Sequence, residues 1–311
     1  GLKFQPSEFA KFTTALAVAK FFNMQDSKNK KIKTKIYSYI IILIPCLLII
    51  LQNDVGTALV FSAFILVLYR EGLSINILFL ILITAILFLL SLLLDQKILI
   101  YIFSIIAVVS LLFFRFNKKD LITISIIWLA SVVFISGANY FVYDILAPHQ
   151  SKRIDVLLGK EFDPYGAGYN LIQSKIAIGS GGSWGKGFLN GTQTRFDFVP
   201  EQSTDFIFCT IGEEWGFVGS LLFISLFIGL ICRIVFLAER QRSNYSRIYG
   251  YSVACILFVH FVINIGMTIG LLPTIGIPLP FISYGGSSLL GFTTLLFIFL
   301  NLDSYRLDIL R

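Results

Sequence analysis

Apolar residues in this chain come in long unbroken runs, and that restricts the fold before any other feature does. A helix rises about 1.5 Å per residue, so about 20 apolar residues cross the hydrocarbon core of a bilayer. Nine runs qualify as candidate spans: 8–23, 36–51, 56–68, 75–94, 98–114, 121–146, 206–237, 249–270 and 286–302. Barrel strands alternate in polarity and are about 10 residues long, so a β-barrel does not fit. Charged residues make up 14% of the chain and mean hydropathy is +0.83, whereas a soluble domain carries roughly 25% charged residues. With 31 Phe and 13 Tyr, a disordered chain is excluded as well. The expected fold class is all-α: a polytopic transmembrane helical bundle with one long extracytoplasmic loop. The chain opens at Gly1-Leu2-Lys3 with no initiator Met, and further N-terminal spans are expected to precede it.

The net charge of +7 raises nucleic acid as a partner, but the placement of the basic residues argues against it. Lys28, Lys30, Lys31, Lys33 and Lys35 follow the first span. Arg70, then Arg115, Lys118 and Lys119, then Arg240, Arg242 and Arg247 mark later alternate connections, and Arg306 and Arg311 the tail. The intervening short connections hold only Lys97. Lys and Arg collect on the cytoplasmic side, so the first set faces inward. The long connection, 147–205, then lies outside. Loops of more than about 15 residues are usually functional or disordered.

Cys46, Cys209, Cys232 and Cys255 all fall within spans and have neither disulfide nor zinc spacing. They read as small packing residues. His149 and His260 are too few for a histidine metal site, and His260 reads as a polar contact between helices.

Acidic residues crowd elsewhere. Asp155, Glu161, Asp163, Asp197, Glu201, Asp205, Glu213 and Glu214 lie in the long loop and the helix after it, accompanied by Lys152, Arg153, Lys160, Lys175, Lys186 and Arg195. Asp205 stands where a polar loop turns into an apolar helix. Two readings stay open there: a helix cap, or a general base that meets a lipid-linked head group at the boundary. Glu213 and Glu214, inside the span, are either paired structurally or functional. Glu8 and Lys11 stand three apart on one helix face, either paired or lining a cavity. The stretch 179–187 resembles a phosphate cradle but fails the P-loop pattern, since Ser180 stands where Gly is needed and Gly187 follows Lys186. It reads as a flexible turn, with a pyrophosphate contact through backbone N–H groups as the alternative. The stretch 271–286 is apolar yet broken by Pro273, Pro278 and Pro280. Such backbone survives at membrane depth only where protein or a cavity shields it, so it reads as re-entrant rather than as an ordinary hairpin.

Several stretches resemble one family. Phe4-Gln5-Pro6-Ser7-Glu8-Phe9-Ala10-Lys11 is similar to the FQPSE-x-AK signature of the SEDS proteins (shape, elongation, division and sporulation). Asp54-Val55-Gly56-Thr57-Ala58 is close to their QPDLGTA, with Asn53 in place of Pro. The run from Asp163-Pro164-Tyr165-Gly166 through Gly181-Gly182, Asn264-Ile265-Gly266-Met267, and Pro278-Leu279-Pro280-Phe281-Ile282-Ser283-Tyr284-Gly285-Gly286-Ser287 match in order. Asn190-Gly191-Thr192-Gln193 with Pro200-Glu201 and Thr204-Asp205 looks like the RodA branch rather than the FtsW branch. The resemblance implies one integral membrane domain over 1–311 with an extracytoplasmic loop at 147–205, and the chain departs from the family pattern by an extra helix pair within 71–120.

It also implies a peptidoglycan glycosyltransferase of the bacterial inner membrane, its active site facing outward. The substrate would be lipid II, an undecaprenyl-diphosphate-linked disaccharide peptide, polymerised with inversion and release of the lipid diphosphate for cell elongation and rod shape. Asp205 matches the family's essential aspartate. Glu8, Lys11, Arg153, Lys175, Gln193, Glu201, Thr204 and Ser283 are the implied substrate-binding residues. The resemblance fixes no cofactor, and a divalent cation, Mg or Mn, near the diphosphate is the one candidate. The implied partners are a class B penicillin-binding protein, the transpeptidase that crosslinks the strands, and membrane proteins of the elongation complex; nucleic acid is not among them. The rival roles are a lipid II flippase and a non-catalytic scaffold for the transpeptidase.

Overall fold

The computed structural model describes residues 5–24, 32–113, 118–146, 148–160, 166 and 168–306. Lys28, Lys30, Lys31, Arg115 and Arg311 of the basic set lie outside the described residues, as do Glu161 and Asp163. Thirteen α-helices follow one another: α1 Pro6–Asn23, α2 Ile32–Leu51, α3 Val55–Val60, α4 Ala63–Arg70, α5 Ile75–Leu93, α6 Gln96–Phe113, α7 Lys118–Tyr140, α8 Pro148–Leu157, α9 Tyr169–Ser180, α10 Thr192–Arg195, α11 Ile207–Glu239, α12 Asn244–Thr268 and α13 Gly286–Ser304. Among the described residues there is no strand. Among the described residues five segments are long and apolar enough to cross a membrane: Ile75–Leu93, Lys119–Ile145, Ile207–Glu239, Asn244–Thr268 and Gly286–Ser304.

The third expected span is the first departure. It divides into α3 and α4, because the chain tightens at Phe61-Ser62 into bonds of the i→i−3 kind, Phe61 N–H to Ala58 O and Ser62 N–H to Leu59 O. The long connection is the second. It carries α8, α9 and α10 rather than irregular loop throughout.

The chain divides into two compact units, Leu73–Gly168 on the one hand and Gly1–Gly72 with Tyr169–Arg311 on the other. In the first, α7 packs on both α5 and α6. Leu87, Leu99 and Ile135 form its core. Side chains join its helices by hydrogen bonds: Trp128 Nε1 to Ser104 Oγ at 3.0 Å and Gln96 Nε2 to Ser136 Oγ at 3.0 Å. Polar contacts of this kind join helices where neighbouring lipid is as apolar as leucine. The outward faces are apolar too, with Leu80, Leu82, Ile83, Ile86 and Leu89 of α5 exposed. So large an apolar surface belongs in lipid.

In the second unit α12 is the hub, packed by α1, α4, α11 and α13 and buried along most of its length. Helix ends collect into two sets. At one end, Arg70 of α4 reaches Glu239 of α11 at 2.7 Å, Arg240 reaches Asp303 of α13 at 2.5 Å, and Arg247 of α12 reaches Glu71 at 3.5 Å. Arg70, Arg240 and Arg247, three of the basic residues assigned to one side by their pattern, are thus gathered at one end, each with an acid. The opposite end holds the starts of α1, α3, α11 and α13, and there the candidate site lies.

Candidate active site

The turn before α11 is shaped by its own backbone: Thr204 and Phe206 N–H groups both donate to Glu201 O, at 3.2 and 3.0 Å. The Thr204 hydroxyl donates to Glu201 Oε2 at 2.7 Å. Asp205 projects from this turn, half-buried. It is not the helix cap. Phe206 occupies the N-cap position of α11, and no side chain there bonds to the helix. Two other elements hold the aspartate instead. Asn264 of α12 donates through Nδ2 to Asp205 O and to Ile277 O, both at 2.7 Å. Ser283 donates to Thr204 O at 2.5 Å and accepts from Leu279 N–H at 2.7 Å, and Tyr284 N–H donates to Ser203 O at 2.8 Å.

The segment between α12 and α13 is irregular, as its prolines predict, and buried in its middle, with Ile277 and Leu279 inaccessible. Gly276 faces the catalytic candidate directly. Its φ is +78°, and a Cβ built there would stand 3.3 Å from Asp205 Oδ2. Only glycine takes such a φ without strain.

The two N-terminal motifs meet at Asp54. Its Oδ1 caps α3 by accepting from Thr57 N–H at 2.9 Å, and its Oδ2 accepts from Gln5 Nε2 at 2.9 Å and Ser7 Oγ at 3.1 Å. One turn deeper, Lys11 Nζ donates to Glu8 Oε2 at 2.7 Å and lies 2.9 Å from His260 Nε2. His260 Nδ1 faces Pro278 O at 3.2 Å. A carbonyl only accepts, so Nδ1 carries the proton and Nε2 accepts from the lysine. Glu8 and Lys11 are therefore a buried pair, and His260 ties α1, α12 and the irregular segment together.

Glu213 is paired as well. Its carboxylate, wholly buried, accepts from Lys186 Nζ at 2.7 Å and from the N–H groups of Gln193 and Thr194 at 2.9 Å each. It thereby supplies the start of α10 with the acceptors a helix N-terminus lacks. The glycine-rich segment is neither a phosphate cradle nor a flexible turn. Its N–H groups are spent on the broken helix α11: Lys186 to Glu213 O at 3.0 Å and Gly187 to Glu214 O at 2.9 Å, while Phe217 N–H donates to Gly182 O at 2.9 Å. The break is at Gly216, with φ 64° and ψ −159°.

The structure thus brings Glu201, Thr204, Asp205 and Ser283 together. Gln193 sits at the start of α10 beneath Glu213. Lys175, exposed on α9, passes over Gly270. Arg153 belongs to α8, in the other unit. Asp54, Asn264 and Gly276 were not among the expected site residues. Asp54 and Asn264 stood inside the quoted motifs, which was the available signal; Gly276 had none.

A helical bundle with wide apolar outer faces and a half-buried aspartate pinned at one end defines a membrane-embedded protein. The chain matches the profile of the cell cycle protein family of FtsW, RodA and SpoVE over residues 1–101 and 87–307. It is 36% identical over 306 residues to peptidoglycan glycosyltransferase MrdB of Escherichia coli K12, covering 98% of this chain and 69% of the relative. It is 35% identical over 311 residues to peptidoglycan glycosyltransferase RodA of Treponema pallidum, covering 92% and 71%. A structure described as a peptidoglycan synthase complex coordinating polymerization and crosslinking superposes with TM-score 0.61 at 27% identity, over 98% of this chain and 71% of that one. An aspartate-to-alanine variant of Thermus thermophilus RodA shares the fold, with TM-score 0.56 at 22% identity over 98% and 67%. The chain belongs to the SEDS family, in its RodA/MrdB branch, a family of membrane peptidoglycan glycosyltransferases.

Proposed function

We propose that the chain polymerises lipid II into glycan strands at the outer face of the bacterial cytoplasmic membrane, with Asp205 as general base. The observation that carries the reading is the aspartate itself. It stands at the helix end opposite the Arg70–Arg240–Arg247 set, on a turn fixed from two sides by Asn264 and Ser283. Exposed aromatic residues near it, Trp184, Trp215 and Tyr284, are of the kind that gather where bilayer meets water.

In the reaction the acceptor sugar's 4-hydroxyl gives its proton to the Asp205 carboxylate as its oxygen bonds to the donor's anomeric carbon. The bond from that carbon to the phosphate oxygen breaks on the opposite face. Its electron pair leaves with undecaprenyl diphosphate, and the configuration inverts. A base must stand within about 3 Å of the proton it takes, which is why the turn is pinned. Thr204, Glu201 and Ser283 hold that turn, and Lys175 is the proposed diphosphate contact. Among the described residues no group of three or more His, Cys, Asp or Glu converges as a metal cage. Mg needs only one or two carboxylates beside substrate phosphates. Glu201, exposed on the same turn, would hold it, and the ion would neutralise charge on the leaving diphosphate. The partner proposed is a class B penicillin-binding protein, by analogy with the synthase complex of like fold.

Purified natural-length protein with its transpeptidase partner, given labelled lipid II, should yield polymer, and Asp205→Ala none. Polymer from the variant would remove Asp205 from catalysis. No polymer from either protein would favour transport or scaffolding.

A further inference from the structure

Glu213 and Glu214 are neighbours with opposite surroundings. Glu213 is saturated with donors. Glu214 is 7% exposed, and among the described residues no donor or cation reaches its carboxylate. A carboxylate that opens on a pocket with no donor of its own points to something that completes it.

The space it faces is a pocket of about 270 Å³ lined by Leu189, Arg195, Gln202, Ser203, Thr210 and Glu214, among others. Ser203 and Ile207, which flank Asp205 in the chain, also line it, but Asp205 itself turns toward Gly276. A second acceptor is stranded on the wall. Gln202 Nε2 donates to Asp197 Oδ1 at 2.6 Å, which fixes the amide orientation, since a carboxylate only accepts. Gln202 Oε1 is then buried with no donor. The volume is at the small end of ligand sites, ~300–1,000 Å³, enough for a ring but not for a lipid-linked disaccharide peptide.

We propose that this pocket is a saccharide subsite, separate from the reacting pair, that grips a sugar of the growing strand. The proposal rests on the glycosyltransferase reading above. Sugar hydroxyl and amide N–H groups donate to the Glu214 carboxylate and to Gln202 Oε1. Arg195 supplies N–H donors for a substituent carbonyl, and Leu189 and Ile207 offer apolar faces to the ring. A cation is a poorer fit, because one of the pocket's charged residues is itself Arg195.

The test uses the natural-length protein carrying Asp205→Asn, so that turnover does not consume the probe. The probe is a soluble tetrasaccharide of alternating N-acetylglucosamine and N-acetylmuramic acid. Binding is expected for the parent, weakened tenfold or more by Glu214→Gln and severalfold by Thr210→Val, with thermal midpoints unchanged. Equal affinity in parent and both variants overturns the proposal. So does absence of binding to the parent, or tighter binding of a lysine-containing stem peptide than of the sugar. Lipid II polymerisation by the protein with Asp205 intact is measured in parallel. Tetrasaccharide binding without polymer would remove the catalytic reading and leave the subsite standing.

Discussion

Single carboxylates in this protein do different work according to the donors around them. Glu213 accepts two short hydrogen bonds from backbone N–H groups and pairs with Lys186, whose side chain is 26% exposed against 0% for the acid. Removing the acid leaves two N–H groups of α10 unsatisfied, while the lysine recovers part of its hydration. Hydrogen bonds to charged groups contribute about 1.5–3 kcal/mol each, and breaking a buried pair costs about 3–5 kcal/mol. With the lysine part-exposed, Glu213→Ala should destabilise by about 2–4 kcal/mol. Glu214→Gln should leave stability unchanged or raise it, since it removes an unmatched charge. Thermal unfolding in detergent, followed by circular dichroism, checks the order; equal losses in both variants would refute it. The sequence showed that these acids lie inside a span, and therefore that they need partners. It did not show which partner each has, because Lys186 and Gln193 approach from a segment about 20 to 27 residues upstream. Asp205 was legible through its motif. What holds it was misread, since the N-cap falls one residue later and the restraint comes from Asn264, 59 residues on.

Among the elements, α11 was foreseen as a span but not its break. A glycine inside an apolar run is ordinary, and nothing local distinguishes Gly216 from Gly229. Their surroundings do. A Cβ at Gly216 would lie 2.3 Å from Gly185 N, on a backbone with φ of +64°, whereas at Gly229 it meets nothing within 4 Å. The break exposes carbonyls and N–H groups that a bilayer cannot satisfy, and the segment 182–187 takes them up. Left-handed strain costs about 1–3 kcal/mol for a residue with a side chain, and the collision adds to it. Gly216→Ala should therefore lower the thermal midpoint and polymerisation together, because the displaced helix start carries Asp205. Gly229→Ala should leave both unchanged or raise stability by up to about 1 kcal/mol, the ordinary helix preference for Ala over Gly. Matching losses in the two variants would mean that the brace between α11 and the glycine-rich segment is dispensable. The irregular course of segment 271–285 was legible, because three prolines in an apolar stretch do not continue a helix.

For the whole molecule, orientation follows from charge. Arg70, Arg240 and Arg247 lie at one end of the second unit, paired with Glu239, Asp303 and Glu71. Exposed ion pairs contribute only about 0–1 kcal/mol, so their stability value is small. Their position matters more, since basic residues beside span ends mark the cytoplasmic side. Under the proposed function the Asp205 end faces outward, where a polymer of cell-wall glycan is needed. Ser180, exposed at the end of α9 and adjoining the segment that braces α11, reports on that end. Its hydroxyl makes only a local bond to Ala177 O and a long contact with Glu213, so cysteine is tolerated there. The background needs Cys232→Ser, because Cys232 is exposed, whereas Cys209 is buried. In intact cells whose outer envelope admits the reagent, Ser180→Cys should react with a membrane-impermeant maleimide. A cysteine at Arg242, in the short connection between α11 and α12, should react only after the membrane is opened. The reverse pattern would place Asp205 in the cytoplasm, away from any growing wall, and the polymerase reading would fall with the topology.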